Sequence, residues 1–199
     1  MGLFAPKDLE AILKIINKYD VPAAKITSAQ RLAILGLGKE EMEKLIKELK
    51  NHTIEMPQNG VTYVQACPGP EWCKYGIRDS LSLGKKLEKL SMEKPFKAKV
   101  KVGISGCRMC CTEPHVRDLG IFASKKGWTL VFGGNGGNNA RIGDIVATEL
   151  NDEEVLDLAK KCLKVYQEEA NPHSRTARFM ERYGIEALKN KVLTQINCK

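Results

Sequence analysis

Two cysteine pairs constrain this chain more than any other feature: Cys67 and Cys73 in ACPGPEWCKYG, and Cys107 and Cys111 in ISGCRMCCTEP. Five residues separate the first pair and three the second. Four thiolates on two short turns suit a cubane iron-sulfur cluster, because each iron keeps one outer position that soft sulfur fills well. Structural zinc competes. Its paired ligands usually sit two to four residues apart, a habit that the second pair meets and the first does not. Cys107 and Cys110 also form a C-x-x-C, so spacing alone leaves Cys110 or Cys111 to complete the set.

A chain of 199 residues, 43% hydrophobic and 28% charged, can bury a core in one domain or two small ones. No apolar run approaches the ~20 residues of a spanning helix, and MGLFAPKDLE lacks a signal-peptide pattern. The expected location is the cytoplasm. Seven cysteines there point to metal or redox chemistry rather than disulfides. The net charge of +8 calls for an anionic partner. Nucleic acid and membrane are disfavoured: lysines alternate with acids, as in KEEMEKLIKELK, and aromatics are only 6%.

Pro6 to Tyr19 has apolar residues at helical spacing, and a hairpin is expected from Ala24 to Thr27 and Arg31 to Leu35. Gly38 opens a second amphipathic helix, so the first 55 or so residues read as a small α+β unit. Val61 to Ala66 reads as a strand delivering Cys67, and a helix beginning near Glu71 would place Cys73 in its first turn. Arg78 and Asp79 read as surface or domain-contact residues. Lys97 to Ile104 alternates strictly, with Ala98, Val100, Val102 and Ile104 on one face and Lys97, Lys99 and Lys101 on the other. That is a half-buried strand with a wet face, or a row of ammonium groups leading to a metal site.

Leu119 to Ala123 and Trp128 to Phe132 read as strands, followed by the glycine-rich FGGNGGNN. This loop is no dinucleotide fingerprint; it is a flexible turn or a place where backbone comes close to a large flat or anionic ligand. Asp152 to Ala170 reads as a helix capped by Asn151 or Asp152, with Cys162 in the core. Helices from Ser174 to Tyr183 and Ile185 to Ile196 follow, with Arg175, Arg178 and Arg182 in a stripe on one face. His52, His115 and His173 are scattered, and Cys198 reads as a bystander.

Together TYVQACPGPEWCKYG, KVKVGISGCRMCC, HVRDLGIFA, GWTLVFGGNGG and RTARFMERYGIEALK resemble the sirohaem and 4Fe-4S domain of nitrite and sulfite reductases. KITSAQRLAILGL resembles the ferredoxin-like half-domain that precedes it. The resemblance implies an α+β chain: a ferredoxin-like half-domain over 1–58, then an α/β sirohaem- and 4Fe-4S-binding domain over 59–199. It implies that Cys67, Cys73, Cys107 and Cys111 hold the 4Fe-4S cluster, with Cys111 also bridging to sirohaem iron and Cys110 an extra. Lys99 and Lys101 match basic residues that bind the substrate oxyanion and feed it protons, and Lys25 matches another. Gln30, Arg31, Gly134, Asn135 and Gly136 are the expected tetrapyrrole contacts. The implied substrate is sulfite or nitrite, reduced to sulfide or ammonia with electrons from a separate donor such as a ferredoxin.

Thr62 departs from the pattern, standing where many relatives have an arginine five positions before the first cysteine. Size departs too, since many members fuse two such units; a homodimer would supply the second half. The other readings are a 4Fe-4S electron carrier without sirohaem and a zinc-stabilised anion-binding module.

Overall fold

The computed structural model describes residues 1–53 and 57–193. The expected end of the last helix at Ile196, and Cys198, lie outside them. The chain forms two compact units, Met1–Glu55 and Met56–Lys199.

In the first unit, α1 (Pro6–Lys18) starts at a proline whose fixed φ suits a first turn and buries Ile12. The hairpin pairs β1 (Ala23–Ile26) with β2 (Leu32–Leu35), Lys25 opposite Ala33. Its turn closes by hydrogen bonds from Thr27 N to Arg31 O and from Gln30 N to Thr27 O, with Gln30 at φ 57°. Helix α2 (Lys39–Leu49) buries Leu45, and Tyr19 and Lys18 both donate to Glu48 Oε1 at 2.7 Å.

The second unit is a five-stranded sheet in the order β3 (Tyr63–Ala66), β4 (Lys101–Ser105), β5 (Leu119–Ala123), β6 (Trp128–Phe132) and β7 (Asp144–Leu150). The first three are parallel neighbours, and β6 is antiparallel to both β5 and β7. Helix α3 (Ser80–Glu88) packs on β3 and β4, while α4 (Asp152–Glu169) packs on β6, β7 and α6 (Ile185–Leu193). Trp128, Leu130, Phe132 and Ile121 from the strands, and Leu158, Leu163 and Tyr166 from α4, are fully buried. Each such side chain contributes about 1.5–3 kcal/mol of hydrophobic stabilisation. Phe179 of α5 (Thr176–Tyr183) closes this core edge-on to Tyr166, ring centroids 5.6 Å apart.

Two expected elements differ, and one strand was not expected. No helix begins near Glu71: residues 71–79 are turns, and α3 starts at Ser80 with Asp79 as N-cap, its carboxylate accepting from Ser82 N at 3.0 Å. The chain doubles back instead, and a methyl group at Gly76 would sit 2.5 Å from Gly69 C and Pro70 N. The lysine strand is shorter than its alternation. Its ladder begins at the Tyr63–Lys101 pair, and one step earlier the Thr62 hydroxyl replaces a main-chain acceptor by taking Val100 N–H at 3.0 Å. Strand β7 has no counterpart in the reading of the sequence, because only Val146 of its seven residues is buried and its pairing with β6 is irregular.

Candidate functional site

Parallel pairing of β3 and β4, with Ala66 opposite Ile104, ends both strands at the same edge of the sheet. Cys67 and Cys107 leave from that edge. Cys67 N–H extends the ladder by donating to Ile104 O at 3.1 Å. The two loops are then tied together: Ile77 N and Arg78 N donate to Gly106 O at 2.7 and 3.1 Å, and Gly106 N donates to Cys67 Sγ at 3.1 Å. Gly106 is required here, since a Cβ would stand 2.6 Å from Arg78 O. Ser80 Oγ lies 3.2 Å from the same sulfur and donates to Cys67 O at 2.8 Å.

An N–H aimed at sulfur is a contact that iron-sulfur ligands commonly accept. Cys107 is buried, Cys67 and Cys73 half-buried, and Cys111 exposed. Cys110 sits between them at φ 53°, and burial, then the neighbouring Cys107 and Cys111, push its thiol up from the ordinary range. Below this loop, Ser105 Oγ accepts Thr112 N–H at 3.2 Å and pairs with Thr112 Oγ1 at 2.8 Å, fixing the turn from inside. Among the described residues, no three His, Cys, Asp or Glu side chains converge on a point that could hold one metal ion. The soft donor set and the N–H on Cys67 fit an iron-sulfur cluster.

Lys101 opens β4 at the end opposite these loops, half-buried, its Nζ 5.9 Å from the centroid of the Tyr63 ring. Lys99 is exposed and precedes the strand. Burial first, then the Arg175 guanidinium, pull Lys101 below the ordinary lysine range; Asp118 opposes them, while Arg117 and Lys99 act with Arg175. Arg117 donates to Tyr63 OH at 3.2 Å and pairs with Glu113 at 2.7 Å. Lys25 lies exposed on β1 of the first unit, with Gln30 and Arg31 in and after its turn.

The glycine-rich loop divides into two parts. Gly134 faces protein: a Cβ there would stand 2.6 Å from both His115 O and Arg117 O, and its N–H donates to Arg117 O at 2.9 Å. Gly136 is exposed with nothing closer than 3.5 Å, and Asn135 is held by two backbone bonds to Arg141. The tip from Asn135 onward, with Arg175 and Arg178 of the neighbouring helix, lines a surface cleft. The asparagine amides and the Arg178 guanidinium suit the carboxylates of a tetrapyrrole, whereas Arg175 is held by Asp118.

Sequence reasoning gave no role to Asp118 or Arg117 and placed Arg175 in a surface stripe. Asp118 is fully buried at the entry to β5, held by Arg175. A charged residue abutting the apolar run LGIFA was the available signal, since a buried carboxylate must find a cation. Arg182 instead donates to Glu169 O at 2.7 Å, and Cys162 is wholly buried in α4, its thiol pushed far up by burial.

Residues 58–199 match the family model of the nitrite and sulphite reductase 4Fe-4S domain, and residues 1–52 that of the nitrite/sulfite reductase ferredoxin-like half domain. The chain is 44% identical over 192 residues to an assimilatory-type sulfite reductase of Nitratidesulfovibrio vulgaris, covering 96% of this chain and 88% of that protein. It is 35% identical over 195 residues to the nitrite reductase [NAD(P)H] of Bacillus subtilis, spanning 95% of this chain but 24% of that longer protein. Among solved structures, a dissimilatory sulfite reductase I superposes with a TM-score of 0.81 at 12% identity, over 96% of this chain and 66% of that one. The Mycobacterium tuberculosis NirA protein does so with a TM-score of 0.74 at 16% identity, over 92% and 38%. At those identities the structural likeness speaks for the fold.

Proposed function

Since the chain belongs to the nitrite and sulphite reductase family and is an iron-sulfur oxidoreductase, we propose that it reduces sulfite or nitrite, to sulfide or ammonia. The observation that carries this reading is the joining of the two cysteine loops, through Gly106 and Cys67, where β3 and β4 end, on the strand that Lys101 opens among other cations.

Cys67, Cys73, Cys107 and Cys111 are the proposed ligands of a 4Fe-4S cluster, with Cys111, the exposed member, turned to a sirohaem. When bound, these groups would supply the electrons and the open iron position that takes the substrate's central atom. The chain's own residues do the rest. Gly106 N–H and Ser80 Oγ hold Cys67 Sγ in place. Lys99 and Lys101 offset the charge of the oxyanion, and Lys101, already below the usual lysine range, holds the proton that a departing oxygen needs. Asn135 and Gly136 offer amide groups for tetrapyrrole carboxylates. Arg31, Gln30 and Lys25 are assigned on family resemblance alone. A ferredoxin-like protein is the proposed donor, and a cytoplasmic homodimer the proposed working form. Among the described residues no helix is long and apolar enough to cross a membrane.

The test is anaerobic purification followed by the visible spectrum, iron and labile-sulfide analysis, and reduction of both anions with a viologen donor. Cluster iron, sirohaem bands and turnover are expected. Cluster iron with neither haem bands nor turnover would replace this reading with an electron carrier; zinc alone would remove it.

A further inference from the structure

The Asp118 carboxylate is fully buried, and its acceptor positions are filled. Oδ2 accepts the main-chain N–H of Lys101 at 2.8 Å and Arg175 Nη2 at 2.6 Å. Oδ1 accepts Arg175 Nε at 3.1 Å and Thr176 Oγ1 at 2.5 Å. A carboxylate offers about four lone-pair sites, so nothing is left for the ammonium of Lys101. Its charge is answered by the guanidinium that it grips.

The ammonium meets a similar situation on every other side. From β3 the Tyr63 ring faces it, with its hydroxyl engaged by Arg117. Arg117 and Lys99 add positive charge, and Glu113 is paired to Arg117 Nη2. Among the described residues Lys101 Nζ therefore has no carboxylate of its own.

We propose that Asp118 and Arg175 form a positioning pair for Lys101: the carboxylate fixes the start of β4, and the guanidinium it holds keeps the Lys101 ammonium ready to give a proton to a bound oxyanion. This rests on the reading of the site as an oxyanion reductase. In the step itself an N–H bond of Lys101 breaks and an O–H bond forms on the anion. The resulting neutral amine regains its proton from water, and no electrons move. A proton donor works best when its pKa lies near the working pH, and the direction in which Lys101 is displaced is the useful one.

The experiment uses the full chain, isolated anaerobically, with lysines reductively methylated in ¹³C and Lys101 assigned from a Lys101→Arg variant. Arg175→Gln leaves Asp118 buried without its cation and can fail to fold, so Asp118→Asn/Arg175→Gln, which removes both charges and keeps hydrogen-bonding amides, is measured beside it. Arg175→Lys tests rescue. Because Arg175 outweighs Asp118 at Lys101, both neutralising changes should move the Lys101 titration to higher pH, and Arg175→Lys should restore most of the parent position. The alkaline limb of sulfite or nitrite reduction should move with it, while the rate at neutral pH falls roughly tenfold. An unmoved Lys101 titration in the folded double variant overturns the pair, whatever the activity. A moved titration with an unmoved alkaline limb overturns the proton role. If the parent reduces neither anion, it is the functional reading that fails, and the titration still judges the pair.

Discussion

At the scale of single residues the cysteine loops are tightly specified. Gly76→Ala brings a methyl group to 2.5 Å from the Gly69–Pro70 backbone, and neither partner is a side chain that can swing away. The loop carrying Cys73 must open, so iron content should fall by half or more, while Gly136→Ala, with nothing closer than 3.5 Å, should keep it. Iron and labile sulfide per chain decide this. Cys110→Ser should retain the cluster and Cys111→Ser should lose it. The left-handed backbone and burial of Cys110 suit a thiol that stays protonated. Retention in Cys111→Ser with loss in Cys110→Ser would reverse the ligand assignment.

Among the elements, α4 owes its start to Asn151, whose side chain accepts from Glu153 N and Glu154 N at 2.9 Å while Glu154 reaches back to Asn151 N. Asn151→Ala should cost about 1 kcal/mol in a denaturant titration, with cluster content unchanged. This cap was legible in the sequence, as were β5 and β6, whose apolar runs are bounded by a tight turn and fully buried along β6. β7 was not, because Ile145 and Thr148 face solvent and the strand is recognised only through its neighbour β6. The turns around Cys73 were missed for the converse reason. Apolar residues at 77 and 81 carry a helical spacing, but Gly76 is pressed against Pro70 and the helix waits for Asp79. Cysteine spacing pointed to iron-sulfur chemistry, which the family match supports. Nothing in it could say that Asp118 closes on Arg175, a contact across 57 positions that only the folded sheet creates.

For the molecule as a whole, the net charge of +8 gives small anions a favourable approach. Raising ionic strength from roughly 50 to 500 mM shortens the Debye length about threefold, so KM for sulfite or nitrite should rise while kcat changes little. A KM indifferent to salt would confine the electrostatics to the half-buried Lys101. The Asp118–Arg175 bond also sets an order of events during synthesis. A ribosome releases Asp118 before Arg175, which follows it 57 positions later. Until the arginine emerges, closing the sheet over an ionised Asp118 leaves a buried, unpaired charge, a penalty of about 3–5 kcal/mol. The start of β4, which bears Lys101, is thus sealed only after the cysteine loops at the other end of that strand have left the ribosome.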